Sequence, residues 1–249
     1  MNENPPKTTA NKPRVKPISP NEPVSELRSI PIRDNGEELV DFLELCPCLL
    51  LDRPRFRYKR ETLLRRGVAE RLCLACQSLP SGYRIAVVEG WRPPYIQKRM
   101  YERAWRMWQE KHPHLSETAL KRLTNRYTAP MNPRVPPPHT TGGAIDLVLT
   151  DADGKPLDMQ SIYGEQDEKG FAFDAPNLSP EARKHRKILA EALIAQGITN
   201  YPAEFWHWSY GDQGWAYRGG HPQALYAAIE PPGWQPNPED NTAEPLEWI

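Results

Sequence analysis

The sequence predicts one α+β domain with a mainly antiparallel central sheet flanked by helices. Segments with helical spacing of apolar side chains alternate along the chain with short β-branched or alternating segments that are typical of strands. Tight-turn sequences such as Asp151-Ala152-Asp153-Gly154 favour hairpins over the long crossovers of a parallel sheet.

Two helices are predicted from apolar side chains that recur on one face. The first covers residues 60–79, and the second follows Pro93-Pro94 and continues to about Trp108. The faces consist of Leu64, Val68, Leu72, Cys76 and Leu79 in the first helix and of Ile96, Met100, Ala104 and Trp108 in the second.

Two further helices are predicted from their N-terminal caps. Ser116 is expected to cap a helix that continues to about Tyr127. Ser179-Pro180-Glu181 combines a cap, a proline at the first helical position and an acid in the first turn, and this helix should end by Gly197. The proline-rich residues 129–138 between the two helices form a stiff loop.

Three strands are predicted. The β-branched run Tyr83–Val88 ends before Pro93, and Gly143–Thr150 alternates in the manner of a half-buried strand. Glu204–Tyr210 also alternates, so we expect a strand with two faces. One face carries Trp206, Trp208 and Tyr210, and the other carries Phe205, His207 and Ser209.

The prolines divide the chain. Of 28 prolines, six lie in residues 1–25, where large apolar side chains are nearly absent, so we expect a disordered arm there. Residues 26–249 should form a single domain. Its irregular C-terminal tail holds Trp234, Leu246, Trp248 and Ile249, which could pack back onto the body.

Charge and hydropathy exclude several classes of protein. Thirty-two basic residues balance 32 acidic ones, which argues against a nucleic-acid binder. No apolar run approaches the roughly 18 residues of a membrane span. The N-terminal residues lack the pattern of an export signal, so we expect a cytoplasmic protein. The sequence leaves the oligomeric state open.

The four cysteines form two close pairs, Cys46-Pro47-Cys48 and Cys73-Leu74-Ala75-Cys76. Because Cys76 shares the apolar face of a predicted helix, we interpret the four as reduced thiols packed in the core. A reactive pair or a structural zinc site is the alternative.

Two segments contain the residues best suited to bind a metal ion. Pro138-His139-Thr140-Thr141-Gly142-Gly143-Ala144-Ile145-Asp146 offers an imidazole and a carboxylate, and Glu204-Phe205-Trp206-His207 offers another imidazole and an acid. Three protein ligands would leave a fourth position of Zn²⁺ open, as in catalytic sites. In an extended strand Glu204 and His207 would point to opposite faces, so both reach one site only if residues 202–205 form a turn or bulge.

These motifs, together with Glu89-Gly90-Trp91-Arg92-Pro93, resemble the zinc D-Ala-D-Ala dipeptidases of the vancomycin-resistance type over roughly residues 40–220. The resemblance implies a Hedgehog/DD-peptidase-like fold and one zinc ion per chain. It implies His139, Asp146 and His207 as zinc ligands, Glu204 as general base, and Arg92 as a cation that assists at the carbonyl oxygen.

The sequence departs from the family at two places that concern the substrate. Pro137 stands where the family usually has a serine, and the family's Phe-Asp segment after the aspartate ligand is absent. Glu165 is the nearest acidic substitute for the aspartate that binds the substrate ammonium, with Asp158 and Asp167 as alternatives. Trp206 is expected to border the substrate.

The resemblance implies hydrolysis of D-Ala-D-Ala or a related D-amino-acid dipeptide in cell-wall metabolism. The alternatives are a D,D-carboxypeptidase or endopeptidase acting on peptidoglycan stem peptides, and a non-catalytic zinc-containing binding module. Retention of both Glu204 and Arg92 argues against the binding module, because a merely structural metal requires neither.

Overall fold

The computed structural model describes residues 22–160, 170–242, 244 and 246–247. The helices are α1 (Val24–Ser29), α2 (Phe42–Leu45), α3 (Arg66–Ser78), α4 (Pro94–Lys111), α5 (Glu117–Tyr127), α6 (Pro180–Ile194) and α7 (Gln213–Gly219). The strands are β1 (Leu39–Asp41), β2 (Leu50–Leu51), β3 (Leu63–Arg65), β4 (Tyr83–Glu89), β5 (Ala144–Asp151), β6 (Thr199–Asn200) and β7 (His207–Ser209). The predicted α+β class is confirmed.

The central sheet has five strands in the order β2-β4-β5-β7-β6. Within the described ranges, β2 and β4 are its one parallel pair, and the other neighbours are antiparallel. A separate antiparallel pair joins β1 to β3. The expectation of a mainly antiparallel sheet is therefore confirmed.

Strands β4 and β5 lie at the centre of the sheet and of the core. Every residue from Ile85 to Glu89 and from Ala144 to Thr150 is buried. Helices α3 and α6 pack on each other and against this core through Leu72 and Leu193, which are fully buried. Burial of an apolar side chain such as Leu72 or Leu193 contributes about 2 kcal/mol to the free energy of unfolding. The two central strands are therefore held firmly in the core and form a rigid base for the loops at their ends.

The predicted helix over residues 60–79 is correct from Arg66 to Ser78 and wrong before that. Leu63–Arg65 forms strand β3, because its backbone is engaged by neighbouring segments. The Leu63 carbonyl accepts from the Trp91 N–H at 2.8 Å, and the Arg65 N–H donates to the Gly142 carbonyl at 3.0 Å. Tertiary pairing overrides the helical spacing here.

The predicted strand Glu204–Tyr210 is shorter than expected, since only His207–Ser209 is extended. The Glu204 N–H donates to the Tyr201 carbonyl, and the His207 N–H donates to the Glu204 carbonyl at 3.1 Å. Residues 201–207 therefore form successive turns, and the turn required at residues 202–205 is present.

The predicted disordered arm stays a prediction for residues 1–21, which lie outside the described residues. Its boundary at residue 25 is wrong, because α1 begins at Val24. This helix is fixed by the Gln213 side-chain amide, which donates to the carbonyls of Leu27 and Ile30 at 3.0 and 2.9 Å.

Part of the C-terminal tail packs on the body of the domain. Leu246 is 2% exposed and contacts Ile96, and the Trp234 ring lies edge-on to Trp91 at 5.2 Å. Residues 248–249 lie outside the described residues. No helix in the described ranges has both the length and the apolar character needed to cross a membrane.

The prediction of four reduced thiols is wrong for Cys46 and Cys73, which are joined by a disulfide bond. Packing of the segment after α2 against α3 brings their Cα atoms to 5.5 Å, within the range of disulfides. Cys48 and Cys76 remain free thiols.

The buried Arg65 connects β3 to the loop before β5. Its guanidinium is 1% exposed, donates to the Thr141 carbonyl at 2.9 Å and the Ala227 carbonyl at 3.0 Å, and pairs with Asp34 at 2.7 Å. The Thr141 contact matters because Thr141 ends the 3-10 turn Pro138–Thr141, which contains His139.

Replacement of Arg65 should destabilise the domain. Arg65→Met leaves the Thr141 and Ala227 carbonyls without this donor and removes the cation that pairs with Asp34, so we expect the free energy of unfolding to fall by about 3 kcal/mol. The matched control Arg66→Met removes an exposed ion pair with Glu38 and should cost at most about 0.5 kcal/mol. Urea unfolding measures both variants, and equal losses would contradict the role of Arg65.

Candidate metal centre and active site

The register of the central sheet places three polar residues in one row. Asp146 on β5 is opposite Glu89 on β4 and opposite His207 on β7. Residues that are directly opposite in an antiparallel pair project from the same face. Strand pairing alone therefore gathers two carboxylates and an imidazole at one end of β4, β5 and β7.

His139 reaches this row from the 3-10 turn. Gly142 ends the turn at φ 71, a left-handed conformation that glycine adopts without strain. The His139 carbonyl accepts from the Arg92 N–H at 3.1 Å, and the His139 Nδ1 lies 2.9 Å from the Gly90 carbonyl. With Nδ1 donating to that carbonyl, the Nε2 lone pair is directed toward the row.

Three donor atoms form a nearly equilateral triangle. The His139 Nε2 is 3.2 Å from the His207 Nδ1 and 3.3 Å from the Asp146 Oδ1, and the His207 Nδ1 is 3.1 Å from the same oxygen. Tetrahedral Zn²⁺ with bonds of about 2.0–2.1 Å requires ligand separations of about 3.3 Å. The two imidazoles and the carboxylate therefore fit a zinc ion with a vacant fourth position.

The charges of the triangle also favour a bound cation. Burial raises the pKa of the Asp146 carboxyl, but His139 and His207 outweigh it, and the pKa lies well below its ordinary value. Burial lowers the pKa of His207, yet the hydrogen bond and charge of Asp146 bring about a net rise. The carboxylate thus stays ionised and attracts positive charge to the two facing ring nitrogens.

Glu204 lies in the turn immediately before His207. Burial raises the pKa of its carboxyl above the ordinary value, although the charge of His207 opposes this rise. The side chain keeps a partly exposed surface. A buried carboxyl with a raised pKa in this position is suited to accept and return a proton.

Arg92 is held rigidly beside the centre. Its Nε and one Nη donate to the two Glu89 oxygens at 2.6 and 2.7 Å, and its other Nη donates to the Gln97 amide oxygen at 2.6 Å. The Tyr58 hydroxyl also donates to Glu89. Burial raises the pKa of the Glu89 carboxyl, but Arg92 outweighs it and the net shift is downward.

Sequence reasoning missed Arg55 and the role of Glu89. The Arg55 Nη1 lies 3.8 Å from the Asp146 Oδ2, and its guanidinium carbon lies 4.9 Å from the centre of the Trp206 ring. Glu89 is part of the motif that contains Arg92, but its position opposite Asp146 depends on the register of the sheet. Arg55 follows no periodic pattern, so no local signal identifies it.

Of the residues predicted to bind the substrate, Trp206 and Asp158 lie in different parts of the structure. Trp206 is 1% exposed and packs edge-on against Phe171 at 4.8 Å, so it forms a wall behind the centre. The Asp158 carboxylate accepts from the Ser179 hydroxyl at 2.6 Å and so lies at the N-terminus of α6. Glu165 and Asp167 lie outside the described residues, and their roles stay predictions.

Comparison with known proteins agrees with this geometry. The sequence pattern of the D-Ala-D-Ala dipeptidase family matches residues 51–225. The D-alanyl-D-alanine dipeptidase of Synechocystis sp. is 29% identical over 243 residues, which cover 84% of this chain and 98% of the relative. The D-alanyl-D-alanine dipeptidase of Escherichia coli is 35% identical over 69 residues, 28% of this chain and 35% of the relative.

Among solved structures, the LdcB LD-carboxypeptidase aligns with 76% of this chain and 75% of its own, at 16% identity and a TM-score of 0.37. The family match, over residues 51–225, and the Synechocystis relative show that this chain is an enzyme of the metallopeptidase type. The chain belongs to the D-Ala-D-Ala dipeptidase family, whose members are zinc metallopeptidases acting in peptidoglycan-related chemistry.

Removal of one ligand should empty the centre. His139→Ala deletes one of three donors, so we expect zinc under non-reducing conditions to fall from about one ion per chain to below about 0.1. The control His114→Ala removes an exposed imidazole on a different loop and should leave zinc unchanged. Elemental analysis of dialysed protein measures both, and full zinc in His139→Ala would refute the assignment.

Proposed function

We propose that this protein is a zinc-dependent dipeptidase that hydrolyses D-Ala-D-Ala, or a closely related D-amino-acid dipeptide, in cell-wall metabolism in the cytoplasm. His139, Asp146 and His207 hold one zinc ion per chain, Glu204 is the general base, and Arg92 acts beside the reacting carbonyl. The observation that carries the proposal is the donor triangle with edges of 3.1–3.3 Å beside a carboxyl of raised pKa.

Zinc bound by the triangle supplies a Lewis acid that makes water more acidic and a peptide carbonyl more electrophilic. Glu204 accepts a proton from the water that attacks the carbonyl. Burial raises the pKa of Glu204, and the same carboxyl then delivers this proton to the departing amine. Its partly exposed position allows the carboxylate to meet both water and substrate.

Arg92 contributes a fixed positive charge. The Glu89 and Gln97 side chains hold three of its nitrogens, so the orientation of the guanidinium is set before substrate binds. Negative charge that develops on the carbonyl oxygen is stabilised by such a preorganised cation without reorganisation. Glu89 acts as the positioning residue for Arg92, since it binds through two oxygens.

Arg55 is the side chain best placed to bind the C-terminal carboxylate of a dipeptide. Its guanidinium is about 15% exposed and lies between Asp146 and the Trp206 wall. Contact with the Trp206 ring and the Asp146 carboxylate limits the motion of the Arg55 side chain. Its planar guanidinium can bind the substrate carboxylate through two parallel hydrogen bonds. A dipeptide places this carboxylate close to the scissile carbonyl, so recognition by Arg55 favours cleavage of a C-terminal peptide bond over an internal one.

Substitution of Glu204 tests the proposed chemistry. Glu204→Gln keeps the shape of the side chain but removes the proton acceptor, so kcat for D-Ala-D-Ala should fall by at least about 100-fold while zinc remains bound. The control Glu191→Gln alters an exposed acid on α6 and should leave kcat unchanged. Release of D-Ala, measured with D-amino-acid oxidase, reports the rate, and near-normal kcat in Glu204→Gln would remove this residue from the mechanism.

The same assay separates the alternatives with the wild-type enzyme. We expect D-Ala release from D-Ala-D-Ala that is lost with a chelator and restored by zinc. Release only from stem pentapeptides would support a carboxypeptidase, and no release from either substrate would support a non-catalytic module.

Fractionation of cells that express the tagged protein tests its cytoplasmic placement.

Substitution of Arg55 tests recognition of the substrate carboxylate. Arg55→Lys loses the planar pair of donors, so KM for D-Ala-D-Ala should rise about 10–100-fold with a smaller change in kcat. The control Arg57→Lys alters an arginine that is 75% exposed and should not change KM. With D-Ala-D-Ala amide, which lacks the carboxylate, wild type and Arg55→Lys should have similar KM, and a persistent difference would contradict the assignment.

A further inference from the structure

Three of the four cysteines of the chain, Cys46, Cys48 and Cys73, form one cluster away from the donor triangle, and Cys76 follows Cys73 by one helical turn. The Sγ atoms of Cys46, Cys48 and Cys73 lie within 4.8 Å of one another, and the Cys46 and Cys48 sulfurs are 3.1 Å apart. The Cys76 thiol is near enough to Cys48 for that side chain to raise its pKa. Cysteines that only fill the core have no reason to gather at one point, so the clustering indicates a common ligand or a common bond.

The cluster is built from two rigid parts of the chain. Cys46 ends α2 and Cys48 follows two residues later, whereas Cys73 and Cys76 occupy the last two turns of α3. One pair, Cys46 and Cys48, is separated by one residue, and the other pair, Cys73 and Cys76, is separated by two residues on a helix. Each pair can direct its two sulfurs toward the same metal ion. The Cys46 side chain is fully buried, and Cys76 is 8% exposed.

Hydrogen-bond donors are directed at two of the sulfurs. The Gln77 side-chain amide lies 3.5 Å from the Cys73 sulfur, and the backbone of Ile85 lowers the pKa of the Cys76 thiol. Such donors stabilise thiolates around a metal. Without a cation, burial and the neighbouring Cys48 raise the pKa of the Cys76 thiol to about 12, which makes it a poor nucleophile.

The cluster is separate from the active site. Arg84, which donates to the Cys48 carbonyl at 3.3 Å, is at the start of β4, and Glu89 is at its end. Five residues of strand separate them by about 16 Å. A ligand bound at the cysteines therefore does not take part in peptide hydrolysis.

We propose that Cys46, Cys48, Cys73 and Cys76, when reduced, bind a second zinc ion that fastens the segment after α2 to helix α3. Four thiolates form a closed tetrahedral site, which is typical of structural rather than catalytic zinc. Zn–S bonds of about 2.3 Å place the sulfurs about 3.8 Å apart. The Cys46, Cys48 and Cys73 sulfurs already lie within 4.8 Å of one another, and the Cys76 side chain has to turn toward them to complete the site. Binding releases the four thiol protons.

The disulfide form and the zinc form exclude each other, because Cys46 and Cys73 cannot be bonded together and both donate to zinc. A trialkylphosphine opens the bond experimentally. It reduces the S–S bond to two thiols and becomes the phosphine oxide, whose oxygen comes from water. The reduced chain then presents four thiols to the metal.

The test uses the full chain with the donor triangle disabled by His139→Ala and His207→Ala. After anaerobic phosphine treatment, incubation with zinc and dialysis, we expect about one zinc per chain by elemental analysis, and below about 0.1 without reduction. Adding Cys48→Ser and Cys76→Ser should remove this zinc. Cobalt in place of zinc should give the intense near-ultraviolet absorption of thiolate ligation.

A second measurement applies to the wild-type protein in case the cysteine variants fail to fold. Zinc should protect all four thiols of the reduced chain from alkylation by iodoacetamide, as counted by mass spectrometry. Two outcomes would overturn the proposal: four thiols that alkylate equally fast with and without zinc, or no zinc retained after dialysis by the reduced chain that carries His139→Ala and His207→Ala. Zinc that is bound by reduced chain but survives removal of Cys48 and Cys76 would also overturn it.

Discussion

The antiparallel register of β4, β5 and β7 is the constraint on which the site depends. It places Glu89, Asp146 and His207 in one row, where two buried carboxylates would repel each other without compensating charge. Arg92 neutralises the first carboxylate, and the two imidazoles of His139 and His207 balance the second. A slip of one residue in either strand pair would turn these side chains to the opposite face and abolish the site. The same hydrogen bonds that stabilise the sheet therefore determine the chemistry.

The remaining ligand depends on the loop before β5 rather than on the sheet. His139 is fixed by backbone contacts to Gly90 and Arg92, and the turn that carries it is held by the buried Arg65. A Cβ on Gly90 would come within 2.8 Å of the Leu63 carbonyl, so glycine is required where the end of β4 meets β3. Stability and catalysis thus share one polar network, in which a change far from zinc can displace a ligand.

The sequence predicted the α+β class and most element positions, because caps, prolines and apolar periodicity are local signals. It also predicted the three residues of the donor triangle, because the motifs that contain them are distinctive. It failed where distant backbone contacts override local preference, as at Leu63–Arg65, and where strand length depends on a turn, as before His207. Arg55 and the Cys46–Cys73 bond could not be predicted, since each depends on segments that meet only in the folded chain.

Zinc X-ray absorption of the active, non-reduced enzyme tests the central claim most directly. Ligation by His139, Asp146 and His207 predicts a first shell of nitrogen and oxygen at about 2.0–2.1 Å, with the multiple scattering that imidazole rings produce. Turnover of D-Ala-D-Ala should rise in proportion to this zinc. A first shell containing sulfur at about 2.3 Å in the active enzyme would place the catalytic metal at the cysteines and contradict the account.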